Sequence, residues 1–207
     1  MNKIKALIIT ASARKKSNSK AAALFLIKTL KQNNNLIIRD KWVDINKLNI
    51  RHCDGCEKCA RNLKCKITDS AAELFKKIKV ADIVIVASPI YFTGSPSKLK
   101  TFIDRNTVKW QIINSKSGIH YSKSVKKKKG VIILTAEAAT RDNFIGAENE
   151  IRAMFAVNGI KTYAAVKLPG MHRQGKFMKD TGAKVKVKRI AGLLSIEKGK
   201  NGHGIRY

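Results

Sequence analysis

Five short apolar runs alternate with stretches of helical periodicity, and that alternation restricts the fold more than any other feature of the chain. Ile4–Thr10, Leu36–Val43, Asp82–Ser88, Gly130–Thr135 and Lys161–Leu168 read as strands. Runs this short suit buried strands and fall well below the ~20 apolar residues of a membrane span. Between them, Ser19–Gln32 repeats Ala22, Leu26 and Leu30 at helical spacing. Ala71–Ile78, Ser95–Arg105, Asn143–Val157 and Lys176–Leu194 read as further helices. Thr68 or Asp69 offers an N-cap for the second of these, and Pro96 occupies a tolerated first-turn position in the third. Strand–helix alternation predicts an α/β domain, a doubly wound five-stranded parallel sheet of order 2-1-3-4-5 covered on both faces. The domain is expected to span residues 1–196, with the polar tail 197–207 mobile unless a partner holds it. Residues 106–129, with Trp110, His120 and Tyr121, exceed a normal connection and read as a lid, an interface arm or disorder.

In such a sheet the ligand crevice lies outside the carboxyl ends of strands one and three. That rule selects the loops Thr10–Ser19 and Ser88–Ser95. The first has no Gly-x-Gly-x-x-Gly and no Walker sequence, which disfavours a Rossmann dinucleotide site and removes the P-loop triphosphatases. Its Ser12, Arg14, Ser17, Asn18 and Ser19 can instead ring a monophosphate at a helix start. A plain polar loop with a capping serine is the competing explanation. The second loop carries Pro89, Ile90, Tyr91, Phe92 and Gly94. Its two aromatics suit stacking on a planar ligand, and the glycine suits a close backbone approach. Alternatively the loop is a rigid turn with its aromatics packed inward. Thr135, Ala136 and Glu137 follow strand four and can complete the pocket.

Four cysteines fall within thirteen residues, Cys53, Cys56, Cys59 and Cys65, and the chain has no others. Four thiolates so close can converge on zinc or an iron–sulfur centre. Three cysteines two apart with a fourth nearby favour a 4Fe–4S cluster held in the loop 51–67. Zinc, redox thiols and a disulfide framework remain alternatives. A chain of this length can bury a core without staples, and no leader segment points to an oxidising compartment. A cytoplasmic protein that does not engage the membrane is therefore expected. His52 reads as an outer or surface group, and Asp104 with Arg105 as a structural pair at a helix end.

The formal net charge is +29, which invites a nucleic-acid reading. Lys and Arg number 11, 10, 9 and 13 in residues 1–50, 51–100, 101–150 and 151–207, so no arm carries the excess and nucleic-acid binding is disfavoured. The densest run, Lys126–Lys129, precedes a strand and is expected to be a solvated turn. An acidic electron carrier such as a ferredoxin would be steered by the same field.

Ser12-x-Arg14-x-x-Ser17-Asn18-Ser19, Ser88-Pro89-Ile90-Tyr91-Phe92 and Lys100-x-Phe102-x-Asp104-Arg105 together resemble the NADPH-dependent FMN reductase family, which is flavodoxin-like. The cysteine block resembles that family's iron–sulfur flavoprotein branch. The resemblance runs from about Lys3 to Leu194. It implies FMN bound by the three loops and a 4Fe–4S cluster on the four cysteines. It also implies a homo-oligomer, dimer or tetramer, in which flavin and cluster exchange electrons, with a small-molecule acceptor. The alternatives are a cluster-free NAD(P)H-dependent FMN or quinone reductase and, in another class, a zinc-stabilised basic nucleic-acid-binding module.

Overall fold

The computed structural model describes residues 3–32, 37–115, 128–137, 140 and 142–196. Its strands are β1 (Lys3–Thr10), β2 (Ile37–Asp44), β3 (Ile83–Pro89), β4 (Lys128–Thr135) and β5 (Ile160–Leu168). All neighbouring pairs run parallel in the order β2-β1-β3-β4-β5, as expected of a flavodoxin-like sheet. The helices are α1 (Asn18–Gln32), α2 (Lys58–Asn62), α3 (Ser70–Val80), α4 (Ser97–Asp104), α5 (Thr107–Asn114), α6 (Asp142–Val157), α7 (Lys176–Lys179) and α8 (Thr181–Ile196).

The two-residue period of the strands divides the core into two layers. Ile8, Ile85 and Ile133 face α1, α7 and α8, where Leu26, Leu30, Phe177 and Val187 meet them. Ile9, Val84, Val86 and Ile132 face the opposite layer, built from Leu74, Phe102, Ile151 and Phe155. Because the central strands are buried on both sides, their sequences are continuous apolar runs rather than alternating ones.

Three expectations need correction. Lys128 does not lie in a solvated turn: it opens β4 and is only 5% exposed. Its Nζ donates to Asn158 O at 3.4 Å, and burial pushes the ammonium below its ordinary pKa, with Lys109 and Lys79 adding to the fall. The helix read as Ser95–Arg105 begins at Ser97 and is followed by α5, with a break at Arg105 and Asn106. Asn106 is buried there because its side chain donates to Phe102 O and accepts from Asn158 Nδ2 at 2.6 Å. The last helix is also two, because the Asp180 carboxylate accepts from Ala183 N and starts α8 afresh. Asp69 is the N-cap of α3, accepting from Ala71 N at 2.9 Å. Part of 106–129 is α5; His120, Tyr121 and the tail 197–207 lie outside the described residues.

Two glycines separate packing from propensity. A Cβ on Gly130 of β4 would stand 2.5 Å from the Phe155 ring and 2.8 Å from Ile160 Cγ2, whereas one on Gly192 of α8 would meet nothing. Gly130→Ala is expected to cost about 1–3 kcal/mol by overpacking. Gly192→Ala should stabilise by up to about 1 kcal/mol through helix propensity. Urea unfolding of the two variants checks both signs.

Candidate functional site

Parallel strands bring their carboxyl ends to one edge of the sheet, and backbone bonds lock the loops there in sequence. Ala11 N donates to Ala87 O, Ile90 N to Thr135 O, Ala136 N to Leu168 O, and Met171 N to Ala136 O. Between these loops lies a cavity of about 160 Å³. Ser12, Arg14, Ser17, Asn18, Pro89, Ile90, Tyr91, Thr135, Ala136 and Glu137 line it, together with Lys16, Met171 and His172. Ser19, Phe92 and Gly94 do not.

The first loop divides its labour. Ser17 caps α1, its Oγ accepting from Lys20 N at 3.2 Å, and it shares a hydrogen bond with Ser19 Oγ at 3.0 Å. The Asn18 amide is engaged by the loop after β5. Nδ2 donates to Met171 O at 2.9 Å and Arg173 O at 2.8 Å, while Oδ1 accepts from Phe177 N at 3.1 Å. Asn18 therefore clamps the cavity wall, which leaves Arg14, Lys16, Ser12 and the capping hydroxyl to face an anion. Arg14 is steadied by donation from Nη1 to His172 O at 2.9 Å, and a guanidinium keeps further donors. One cation-rich corner beside Ile90 and Tyr91 suits a planar ligand bearing a phosphate, as FMN does.

The second loop forms a tight reversal. Tyr91 and Gly94 exchange both backbone hydrogen bonds, at 3.1 and 3.0 Å, across Phe92 (φ 46°) and Thr93 (φ 62°). Two left-handed non-glycine residues in succession are unusual and carry strain. Tyr91 borders the cavity, whereas Phe92 stands fully in solvent. Gly146 in α6 packs under this reversal, where a Cβ would lie 2.5 Å from Thr93 O.

Loop 51–67 follows β2 and a 3-10 turn at Ile45–Lys47, and winds through left-handed residues at Gly55, Glu57 and Leu63 around the short helix α2. Cys53, Cys56, Cys59 and Cys65 are all free thiols in this loop, so no disulfide pairs them. Burial pushes the Cys59 thiol up against a lowering backbone hydrogen bond, and the fields of Cys53, Cys65 and Cys56 add to the rise, so the four share one electrostatic neighbourhood. Among the described residues no three His, Cys, Asp or Glu side chains stand close enough to share a metal ion. The donor set is nevertheless that of a sulfur-ligated centre. A buried guanidinium, Arg105, donates to Cys65 Sγ at 3.4 Å and leaves its Nε without an acceptor, which suits further sulfur beside it. His52 is exposed. Asp104 and Arg105 do not pair: Asp104 binds Lys100 at 2.6 Å, and Arg105 binds Asp69.

Sequence reasoning missed Lys16, Met171, His172 and this role of Arg105. Met171 and His172 follow β5, so applying the carboxyl-end rule to every strand would have found them.

The family profile of NADPH-dependent FMN reductase matches residues 4–169. An iron-sulfur flavoprotein of Methanocaldococcus jannaschii is 36% identical over 69 residues, covering 33% of this chain and 36% of that protein. An iron-sulfur flavoprotein of Archaeoglobus fulgidus is 35% identical over 102 residues, covering 49% and 45%. The chain thus matches less than half the length of either relative. The solved NAD(P)H:quinone oxidoreductase from Methanothermobacter marburgensis shares the fold, with a TM-score of 0.66 at 17% identity over 98% of this chain and 100% of that one. With the sheet order, the cleft loops and a profile spanning most of its length in agreement, the chain belongs to the NADPH-dependent FMN reductase family.

Proposed function

We propose that this chain is an oxidoreductase that binds FMN in the carboxyl-edge cavity and a 4Fe–4S cluster on Cys53, Cys56, Cys59 and Cys65. In this reading it passes electrons between a one-electron carrier and a small-molecule acceptor. The observation that carries the reading is the coexistence, on one flavodoxin-like sheet, of a cavity lined by Arg14 and Lys16 and a loop of four free thiols. The names of the two archaeal relatives support the cluster half. Flavin chemistry proceeds by one or two electrons and a cluster's by one, so the pair would join the two regimes. The chain's own part is to hold the phosphate through Arg14, Lys16 and the N-terminal turn of α1, and to border the ring with Ile90, Tyr91 and the Thr135–Glu137 backbone. Phe92 and Trp110, both exposed, favour association with a second copy. A cluster-free FMN reductase is the second reading, favoured by the family profile, whose description names only the reductase. Among the described residues no helix is long and apolar enough to cross a membrane.

Absorption of anaerobically purified protein tests the reading directly. Flavin bands together with a broad iron–sulfur band that dithionite bleaches support it; flavin bands alone favour the cluster-free reductase, and a colourless zinc protein would discard both. Replacing any one of the four cysteines by Ala should abolish or convert the iron signal while FMN stays bound, because the two sites use different loops.

Arg14→Ala should weaken FMN binding by about 1.5–3 kcal/mol, the worth of a charge-assisted hydrogen bond. Flavin fluorescence titration reads this, and wild-type affinity in the variant would remove Arg14 from the phosphate site. Asn18→Ala should instead lower thermal stability, since two bonds to the loop after β5 and one to α7 are lost.

With a formal charge of +29, reduction by an acidic ferredoxin should slow steeply between about 50 and 500 mM salt, while reduction by a neutral small donor should not. A flat salt profile would separate the charge from partner choice.

A further inference from the structure

The cysteine loop is closed by one buried side chain. Arg105 follows α4, the helix that begins just beyond the cavity loop of Tyr91, and its side chain is 2% exposed. Its Nη1 donates to Arg51 O at 2.9 Å and to Asp69 Oδ2 at 2.6 Å. Its Nη2 donates to Ile67 O at 3.1 Å and to Cys65 Sγ at 3.4 Å. Arg51 and Ile67 flank the first and last cysteines, so a single planar group fastens both ends of the segment that carries all four. Asp69 reinforces the closure, because its Oδ2 also accepts from Arg51 N at 2.9 Å.

One donor on this guanidinium is left over. Arg105 Nε is buried with no acceptor, and an unsatisfied buried donor is unfavourable unless something pairs with it. In a guanidinium the Nε hydrogen and one Nη2 hydrogen leave the same edge of the plane, and here Nη2 already reaches a cysteine sulfur. Additional sulfur on that edge would satisfy the orphan.

Resting on the cluster reading above, we infer that Arg105 is the positioning residue of the iron–sulfur site. It holds Cys65 ready for iron and supplies N–H···S hydrogen bonds that raise the centre's reduction potential. The physical reason is that reduction adds negative charge, and donors on the sulfurs stabilise the more negative state. Arginine suits the task because it stays protonated and offers a rigid fork of donors. Asp69 balances its charge, so the directional bonds, rather than a net positive field, carry the effect. Lysine cannot reproduce this arrangement, since its donors radiate from a single nitrogen and cannot span Arg51 O, Ile67 O, Asp69 and Cys65 together.

The test uses full-length wild type, Arg105→Lys and Arg105→Met, each reconstituted anaerobically with iron and sulfide. Iron and sulfide per chain, iron release to a chelator and the midpoint potential from an EPR-monitored titration are measured, with FMN content and melting temperature as folding controls. Arg105→Lys keeps the charge beside Asp69 and is expected to fold and retain FMN. Its potential should move to a more negative value and its iron release quicken about tenfold, the usual cost of losing an outer-shell partner of a metal site. Arg105→Met should release iron faster still, and if it does not fold, the lysine variant decides. Wild-type potential and release rate in a folded Arg105→Lys protein overturn the inference while leaving the cluster reading intact. A wild-type protein that retains FMN but takes up no iron and sulfide overturns the cluster reading, and this inference with it.

Discussion

The structure depends on one constraint: β1, β3 and β4 form a parallel sheet whose two faces are both out of water. Parallel neighbours cannot be joined by a tight hairpin, so every connection must carry the chain back across the sheet, and the crossing helices are what bury Ile8 and Ile85 on one face and Ile9 and Val86 on the other. The same constraint delivers every strand's carboxyl end to one edge. The loops that leave there are tied to the neighbouring strand end by backbone bonds such as Ile90 N to Thr135 O and Ala136 N to Leu168 O. The cavity is thus a consequence of sheet direction, filled in by whatever side chains the loops supply.

Buried charge is handled differently at three places. Glu148 in α6 meets Arg152 at 2.6 Å and Lys167 of β5 at 2.8 Å, joining helix to edge strand. Burial pushes its carboxyl up, but the hydrogen bonds from Lys167 and Arg152 outweigh this and leave it below the usual carboxylate value. Lys128 has a backbone carbonyl rather than a carboxylate, and its ammonium is correspondingly disfavoured. Arg105 and Asp69 make the most enclosed pair. A buried ion pair is weak evidence for stability, because desolvation offsets most of the attraction. What it does provide is geometry, and here that geometry closes a loop otherwise lacking buried apolar side chains between Arg51 and Lys66.

Much of this was legible in the chain. Runs of six to eight residues placed all five strands to within one or two positions, and in β1, β3 and β4 those runs are almost wholly apolar because a strand buried on both faces has little other composition available to it. The Asp69 cap and the Ser17–Asn18–Ser19 helix start were legible because capping is chemistry between neighbours in sequence. The profile of the family and the sheet order agree with that reading.

What the sequence could not decide is set by partners far along the chain. Asn18 reads as a phosphate ligand, and nothing near it in sequence reveals that its side-chain amide also binds Met171, Arg173 and Phe177, more than 150 residues away. Arg105 looks like the partner of its neighbour Asp104 until the fold brings Arg51, Cys65, Ile67 and Asp69 around it. Lys128 reads as one solvated lysine among four until β4 carries it under Asn158. Local pattern determined the elements and their order, because periodicity and capping act within a few residues. Only the tertiary structure decided which polar side chains bind the protein itself and which remain to face a ligand, because a hydrogen-bonding group is claimed by whatever acceptor the fold places nearest.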